Sequence, residues 1–374
     1  MKYYLIAGEA SGDLHASNLM KAIRQIDAYA EFRFWGGDLM QEQGGEPVKH
    51  YRDLAFMGIA EVLVNIKTII GNLSFCKNDV VSWNPDVLVL VDYPGFNLRI
   101  AKFAHKKGVK VAYYISPKVW AWKKGRVKTI KKVVDKMLVI FPFETEFYKG
   151  YQMNVDFVGN PLLDSLKDEE YVPKESFCNK FNLSDKPIIA LLPGSRKQEV
   201  SRMLSVMLQV VPKFSEYQFV IAGVPSLGME FYTKYLNGSS VKVIFQQTHQ
   251  IVHHAEAALV TSGTATLETA LIGTPQVVCY KTSAITYRAA RMLVKIKYIS
   301  LVNLIMDELV VKELIQNDLN VQELSYELNM ILNDNAYRNK QLSDYNQLRQ
   351  LLGNSGASAK AAEAIFKLIK ENKG

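Results

Sequence analysis

Short apolar runs alternate with helix-like segments along most of the chain. That pattern constrains the fold more than any other feature. In the first half the runs are Tyr3–Ala7, Phe32–Trp35, Val87–Val91, Val109–Ile115, Met137–Ile140 and Val155–Val158. In the second half they are Ile188–Leu192, Gln218–Ala222, Val241–Phe245, Ala257–Val260 and Gln276–Tyr280. Continuous apolar strands spaced by helices are the signature of parallel βαβ units, buried on both faces. Between the two series, Leu166–Asp185 is charged, carries Pro173 and reads as a linker with a short helix. From Val321 onward the periodicity is helical. The expected fold class is α/β: two doubly wound parallel-sheet domains with an interdomain cleft. The expected division is 1–165, 166–340 and a helical tail at 341–374; whether that tail packs back on the first domain stays open in the sequence. No period of 20–50 residues repeats, which argues against a solenoid.

Ligands of such sheets sit beyond the carboxyl ends of the strands. Two of those ends stand out. Pro193-Gly194-Ser195-Arg196 follows Ile188–Leu192, and Ser262-Gly263-Thr264-Ala265-Thr266-Leu267-Glu268 follows Ala257–Val260. A small-residue turn opening a helix aims backbone N–H groups and a positive helix end at one spot, which suits a phosphate. Two such turns suit a diphosphate. In the first, Gly194 allows close approach, Ser195 supplies a hydroxyl, Arg196 a forked donor, and Glu199 lies in the first helical turn. An ordinary strand-to-helix turn explains this loop equally well. In the second, Ser262, Thr264 and Thr266 crowd a helix start, and Glu268 is placed to accept from a ribose. N-capping accounts for one of those hydroxyls but not for three. Neither a Walker loop nor a Gly-x-Gly-x-x-Gly dinucleotide fingerprint occurs.

The first half carries a different chemistry. Gly8-Glu9-Ala10-Ser11-Gly12-Asp13 follows the first strand, and its two acids would repel a pyrophosphate. A hydroxylated substrate such as a sugar fits better. Asp92 ends the strand Val87–Val91 within Asp92-Tyr93-Pro94-Gly95-Phe96-Asn97. A partly desolvated carboxylate there is either a general base or an Asx-type turn residue, and both readings stay open. Trp120 and Trp122 either meet a sugar or acyl chain or simply pack. The basic run Lys123, Lys124, Arg126, Lys128, Lys131 and Lys132 faces an anion, a membrane or solvent. Val62, Leu63, Ile66, Ile69 and Ile70 share a helical face that is either buried core or a membrane-surface contact.

The net charge of +8 and pI near 9.1 favour anionic partners without choosing among them. The lysines are scattered apart from that one run, which argues against nucleic acid. Cys76, Cys178 and Cys279 are far apart and odd in number, so a disulfide framework is not expected. Glu9 and Asp13 interrupt the first apolar run, so no secretory signal forms, and no run approaches the length of a membrane span. The histidines form no ligand set, and His253-His254 is poor geometry for a shared metal. No metal and no other cofactor is expected.

Taken together the motifs resemble the lipid-A-disaccharide synthase family. The resemblance rests on Gly8–Asp13, Met57–Leu63, Asp92–Asn97, Ser116–Trp122, Leu191–Arg196, Ser262–Glu268, Tyr298–Ile305 and Val311–Leu314, in order along the chain. It implies a GT-B glycosyltransferase acting in lipid A biosynthesis. The implied reaction transfers 2,3-diacylglucosamine from UDP to the 6-hydroxyl of 2,3-diacylglucosamine 1-phosphate, with inversion. It implies Asp92 as base. Gly194, Ser195, Arg196, Glu199, Ser262, Gly263, Thr264, Thr266, Glu268 and Asn303 would surround UDP. Glu9, Ser11, Asp13 and Asn97 would lie on the acceptor side, and Val62–Ile70 would touch the membrane. The implied location is cytoplasmic, peripheral to the inner membrane of a Gram-negative bacterium; oligomerisation stays open. The chain departs from the family pattern at Gly95, where a second acid is common, and at Lys118. The rivals are another GT-B sugar enzyme, such as a UDP-N-acetylglucosamine 2-epimerase, and a non-enzymatic basic surface-binding protein.

Overall fold

The computed structural model describes residues 1–53, 66–120, 125–167, 169–236, 238–283, 287–288 and 297–371. These residues form two compact units. One is Met1–Ser165 with Leu352–Gly374, and the other is Leu166–Leu351.

The first unit is built on a seven-stranded parallel sheet. Its strands are β1 (Lys2–Ala7), β2 (Glu31–Gly36), β3 (Glu46–His50), β4 (Val87–Val91), β5 (Lys110–Tyr114), β6 (Lys136–Val139) and β7 (Asp156–Phe157). Their order is β3-β2-β1-β4-β5-β6-β7. β4 is Val-Leu-Val-Leu-Val with every residue buried, as a central strand covered on both faces requires. The edge strand β3 carries Pro47, tolerated where one side of the strand needs no ladder partner. Its weak apolar content gives no strand signal in the sequence.

The second unit repeats the plan with six strands. They are β8 (Ile188–Leu192), β9 (Gln218–Gly223), β10 (Lys242–Phe245), β11 (Ala255–Thr261), β12 (Gln276–Tyr280) and β13 (Glu313–Ile315). The order is β10-β9-β8-β11-β12-β13, all parallel. In both sheets the winding reverses beside the first strand. The reversal falls between β1 and β4 in one unit and between β8 and β11 in the other. These switch points open a crevice at the strand carboxyl ends. The four loops singled out in the sequence follow those four strands.

The segment 166–185 is more regular than a linker. It holds the end of the helix Pro161–Lys167 and the helix Lys174–Phe181, whose Phe177 is buried in the second unit's core. The C-terminal helix Ala357–Lys370 packs on the helix Ala10–Ile26 of the first unit. Asp164 anchors its start, accepting from the backbone N–H groups of Gly356 (2.5 Å), Ala357 (3.3 Å) and Ser358 (2.9 Å). Residues 341–351 belong with the second unit, where Gln341 accepts from the Gln276 N–H at 2.7 Å.

Candidate active site

In the second unit, the loops after β8 and β11 line a cavity of about 460 Å³. Gly194, Ser195, Arg196, Glu199, Ser262, Gly263, Thr264 and Glu268 all contribute to its wall. Gly194 has φ +113°, a conformation that side chains rarely adopt. A Cβ there would also strike the Glu199 carboxylate. Glu199 reaches back from the first turn of the helix Lys197–Met207 and accepts the Ser195 N–H at 3.0 Å. The loop thus already shows its preference for a negative group at this helix end.

The hydroxyls after β11 have divided tasks. Thr266 is buried and donates to Gly263 O at 2.8 Å, an internal turn bond. Ser262 donates to Ile299 O at 2.9 Å. Thr264 is exposed on the cavity wall. Thr261, absent from the expected set, is buried on that wall, and its hydroxyl finds no partner among the described residues. His249 is a second residue outside the expected set. It lies 3.1 Å from Glu169 and 3.9 Å from Glu268. Glu268 and then Glu169 hold the imidazole toward its protonated form, against burial. A lone histidine in Gln-Thr-His-Gln gives no sequence signal for such a position.

Asn303 does not line this cavity. Its side chain is buried and fully spent: Nδ2 donates to Val311 O (2.8 Å) and Glu313 (2.9 Å), and Oδ1 accepts from Val310 and Val311, each at 2.9 Å. Glu313 also accepts the N–H groups of Ile299 and Ser300. Asn303 and Glu313 therefore hold the segment against which Ser262 is pinned. A network this completely satisfied is rigid.

In the first unit, the loops after β1 and β4 meet at Gly8. A Cβ on Gly8 would run into the Tyr93 ring, so the close approach demands glycine. Asp92 and Tyr93 both adopt left-handed backbone, with φ 42° and 47°. Successive non-glycine residues in this region store strain that the surroundings must hold. Here Tyr113 Oη and Asn97 Nδ2 clamp the Asp92 carbonyl at 2.5 and 2.8 Å. Asn97 also donates toward Ile6 O and Val91 O, so it fastens both switch-point strands. Burial pushes the Asp92 carboxyl up to about 6. Lys118 pulls it down, Glu9 pushes it up and the Tyr93 backbone N–H lowers it.

The remaining first-unit residues separate. Asp13 is buried and accepts the N–H groups of Gly37 (2.7 Å), Leu39 (3.2 Å) and Met40 (3.2 Å), so it caps the short helix Asp38–Glu42. Ser11 is exposed and Glu9 partly so. Glu144, not anticipated, is buried beneath the loop after β5; it accepts from Ile140 and Phe141, and burial pushes it up to about 7. Trp120 packs edge-on against Phe143, and Trp122 lies outside the described residues.

The family model described as lipid-A-disaccharide synthetase matches residues 3–367. The lipid-A-disaccharide synthase of Trichlorobacter lovleyi is 36% identical over 375 residues, covering 98% of this chain and 97% of the relative. The chain belongs to the lipid-A-disaccharide synthase family. Members of this family are glycosyltransferases. The fold agrees with that placement: it is the two-domain α/β arrangement shared by GT-B glycosyltransferases and sugar epimerases. The UDP-GlcNAc 2-epimerase from Neisseria meningitidis, solved bound to UDP-GlcNAc, superposes with TM-score 0.69 at 13% identity, covering 98% of this chain and 100% of the epimerase. The glycotransferase of kitacinnamycin gives TM-score 0.67 at 12% identity, with 98% and 99% covered. At such identities the likeness concerns fold alone. Membership in the lipid-A-disaccharide synthase family rests on the first two matches.

Within this family member, the apolar segment expected at a membrane is split. Val62 and Leu63 lie outside the described residues, as do Lys123 and Lys124. Ile69 packs on the first unit's core, whereas Ile66 and Ile70 are 48% and 60% exposed. No helix among the described residues is long and apolar enough to cross a membrane. His253 stacks on Tyr171, and His254 lies against Phe177. Among the described residues no group of three His, Cys, Asp or Glu is placed to hold a metal.

Proposed function

We propose that the chain condenses UDP-2,3-diacylglucosamine with 2,3-diacylglucosamine 1-phosphate, giving the lipid A disaccharide 1-phosphate and UDP. Asp92 takes the proton from the acceptor 6-hydroxyl. The freed oxygen attacks the donor's anomeric carbon from the face opposite UDP. The bond from that carbon to the β-phosphate oxygen breaks, its electron pair leaves with UDP, and the anomeric configuration inverts. The observation that carries this reading is the placement of Asp92, directly after the carboxyl end of β4 with its backbone carbonyl clamped by Tyr113 and Asn97. A carboxylate raised to about 6 is ionised at neutral pH yet more basic than an ordinary aspartate.

Each unit has its part in the proposal. In the second, the loops after β8 and β11 hold the diphosphate through backbone N–H groups, Arg196 and Thr264, and stabilise the charge that develops as UDP leaves. Glu268 accepts from the ribose. Glu199 braces the Ser195 turn, and Asn303 acts by holding the Ile299 segment behind Ser262. In the first unit, Glu9 and Ser11 face the acceptor's hydroxyls, while Asp13 and Asn97 fix the loops that carry them. Both substrates bear acyl chains, so the enzyme works at the cytoplasmic surface of the inner membrane of a Gram-negative bacterium, with Ile66 and Ile70 exposed toward lipid.

The test is UDP release from the donor with and without the acylated sugar phosphate, in wild type and in Asp92→Ala. Acceptor-dependent release that Asp92→Ala abolishes, with UDP binding intact, is the expected result. Undiminished turnover in Asp92→Ala would remove Asp92 as the base.

A further inference from the structure

In the second unit a further cavity, of about 510 Å³, adjoins the diphosphate cavity. Thr248 lines both. His249 stands at this junction, on the helix Thr248–His253. Its imidazole is bracketed by two acids from different parts of the chain. Nδ1 lies 3.1 Å from Glu169 Oε2, in the segment that enters this unit. Nε2 lies 3.9 Å from Glu268 Oε2, on the helix Thr264–Ile272 and in the wall of the diphosphate cavity. Glu268 and Glu169 are the charged groups that face the imidazole. His253, one turn further on, stacks on Tyr171 instead.

The two acids are supported unequally. Residues 169–172 are strapped to the His249 helix at three points. Gln250 Nε2 donates to Glu170 O at 2.7 Å, Gln250 Oε1 accepts the Val172 N–H at 3.2 Å, and the Tyr171 and His253 rings lie 3.8 Å apart. Glu169 is therefore a fixed anchor. For the Glu268 carboxylate, His249 is the only ion-pair partner among the described residues. A neutral imidazole carries one N–H and serves one acid, whereas the imidazolium carries two and serves both. At 3.9 Å the Glu268 contact is an ion pair rather than a hydrogen bond, so it depends on the imidazole's charge.

We propose that His249 is a positioning residue for nucleotide binding: as the imidazolium it ties Glu268 to the anchored Glu169 and holds that carboxylate where it accepts from the ribose hydroxyls. The inference rests on the ribose contact proposed above for Glu268 and adds a proton to it. Proton and nucleotide then reinforce each other's binding. The two acids raise the imidazole's titration above its ordinary range. Ribose-dependent affinity is therefore full at pH 6 and falls as pH rises through that titration.

The experiment is titration calorimetry of the full chain with UDP and with 2′,3′-dideoxy-UDP, which lacks the ribose hydroxyls, at pH 6 and pH 9. The phosphate of each ligand titrates alike for every protein, so ratios between proteins are read. His249→Gln should bind UDP about fivefold more weakly than wild type at pH 6, the worth of a partly exposed ion pair, and equally at pH 9. His249→Lys keeps a cation at both pH values, so it should bind within about twofold of wild type at pH 6 and about fivefold more tightly at pH 9. These differences should vanish with 2′,3′-dideoxy-UDP. The His249 ring protons, identified in NMR spectra by their loss in His249→Gln, should titrate at lower pH in both Glu169→Gln and Glu268→Gln. A His249→Gln loss that is equal at both pH values or persists with 2′,3′-dideoxy-UDP would overturn the proposal. So would His249→Lys binding no better than His249→Gln, or an unmoved ring titration in either glutamine variant. Equal binding of the two nucleotides by wild type would refute the ribose contact itself. A preference for UDP that Glu268→Ala abolishes, with a His249→Gln ratio independent of pH, would refute the role of His249 alone.

Discussion

Replacing Asp92 by asparagine should strengthen the fold while it removes the activity. The aspartate is held with its carboxyl raised from 3.8 to about 6, mainly by burial. One pKa unit corresponds to about 1.4 kcal/mol, so the ionised form costs the folded state about 3 kcal/mol, an upper figure for a partly exposed group. The sign follows from proton uptake. Between about pH 4 and pH 6 the folded state binds the proton that the unfolded chain has lost, so wild-type stability falls as pH rises through that window. The asparagine side chain carries no charge at any pH, and it tolerates the left-handed φ of 42° better than most residues. Asp92→Asn should thus gain up to about 3 kcal/mol above pH 7 and nothing near pH 4. Denaturant unfolding of both proteins at the two pH values measures this. The same variant should lose about 10²–10⁴ in turnover, the usual worth of a general base. A stability gain that is equal at both pH values, or a loss at neutral pH, would refute the account of a desolvated carboxylate.

Other outcomes follow from the same geometry. The acid limb of the kcat profile should fall as pH drops through about 6, and Glu9→Gln should move it lower by removing a neighbouring negative charge; a fixed limb would separate Glu9 from Asp92. Arg196→Ala should weaken UDP binding by about 10- to 100-fold in titration calorimetry, as expected for a charge-assisted phosphate contact. Asp164→Ala uncaps the C-terminal helix and should destabilise the protein by about 1–3 kcal/mol in denaturant unfolding, with UDP affinity unchanged.

The central strands were legible because parallel sheets bury both faces, and Val87–Val91 or Ile188–Leu192 leaves little choice. β3 and β13 were not. One is an edge strand with Pro47, and the other is three residues long. The switch-point loops were legible from small residues at strand ends, but the partners of their side chains were not. Asp13 and Glu9 look alike in the sequence, yet one caps a helix brought close by the β1–β2 pairing and the other stands beside Asp92. Gly8 reads as an anion-loop glycine, and the tertiary reason for it is the Tyr93 ring. Asn303 sits in a recognisable motif, but its hydrogen bonds all close on Val310, Val311, Glu313 and Ser300. Thr261 and His249 depend on neighbours distant in sequence, which no local pattern records.

The most direct test of the account is the acceptor dependence of UDP release. Donor alone should yield no UDP, and adding 2,3-diacylglucosamine 1-phosphate should release one UDP per disaccharide formed, with inverted anomeric configuration. UDP release or epimerisation of the donor at full rate without acceptor would contradict it.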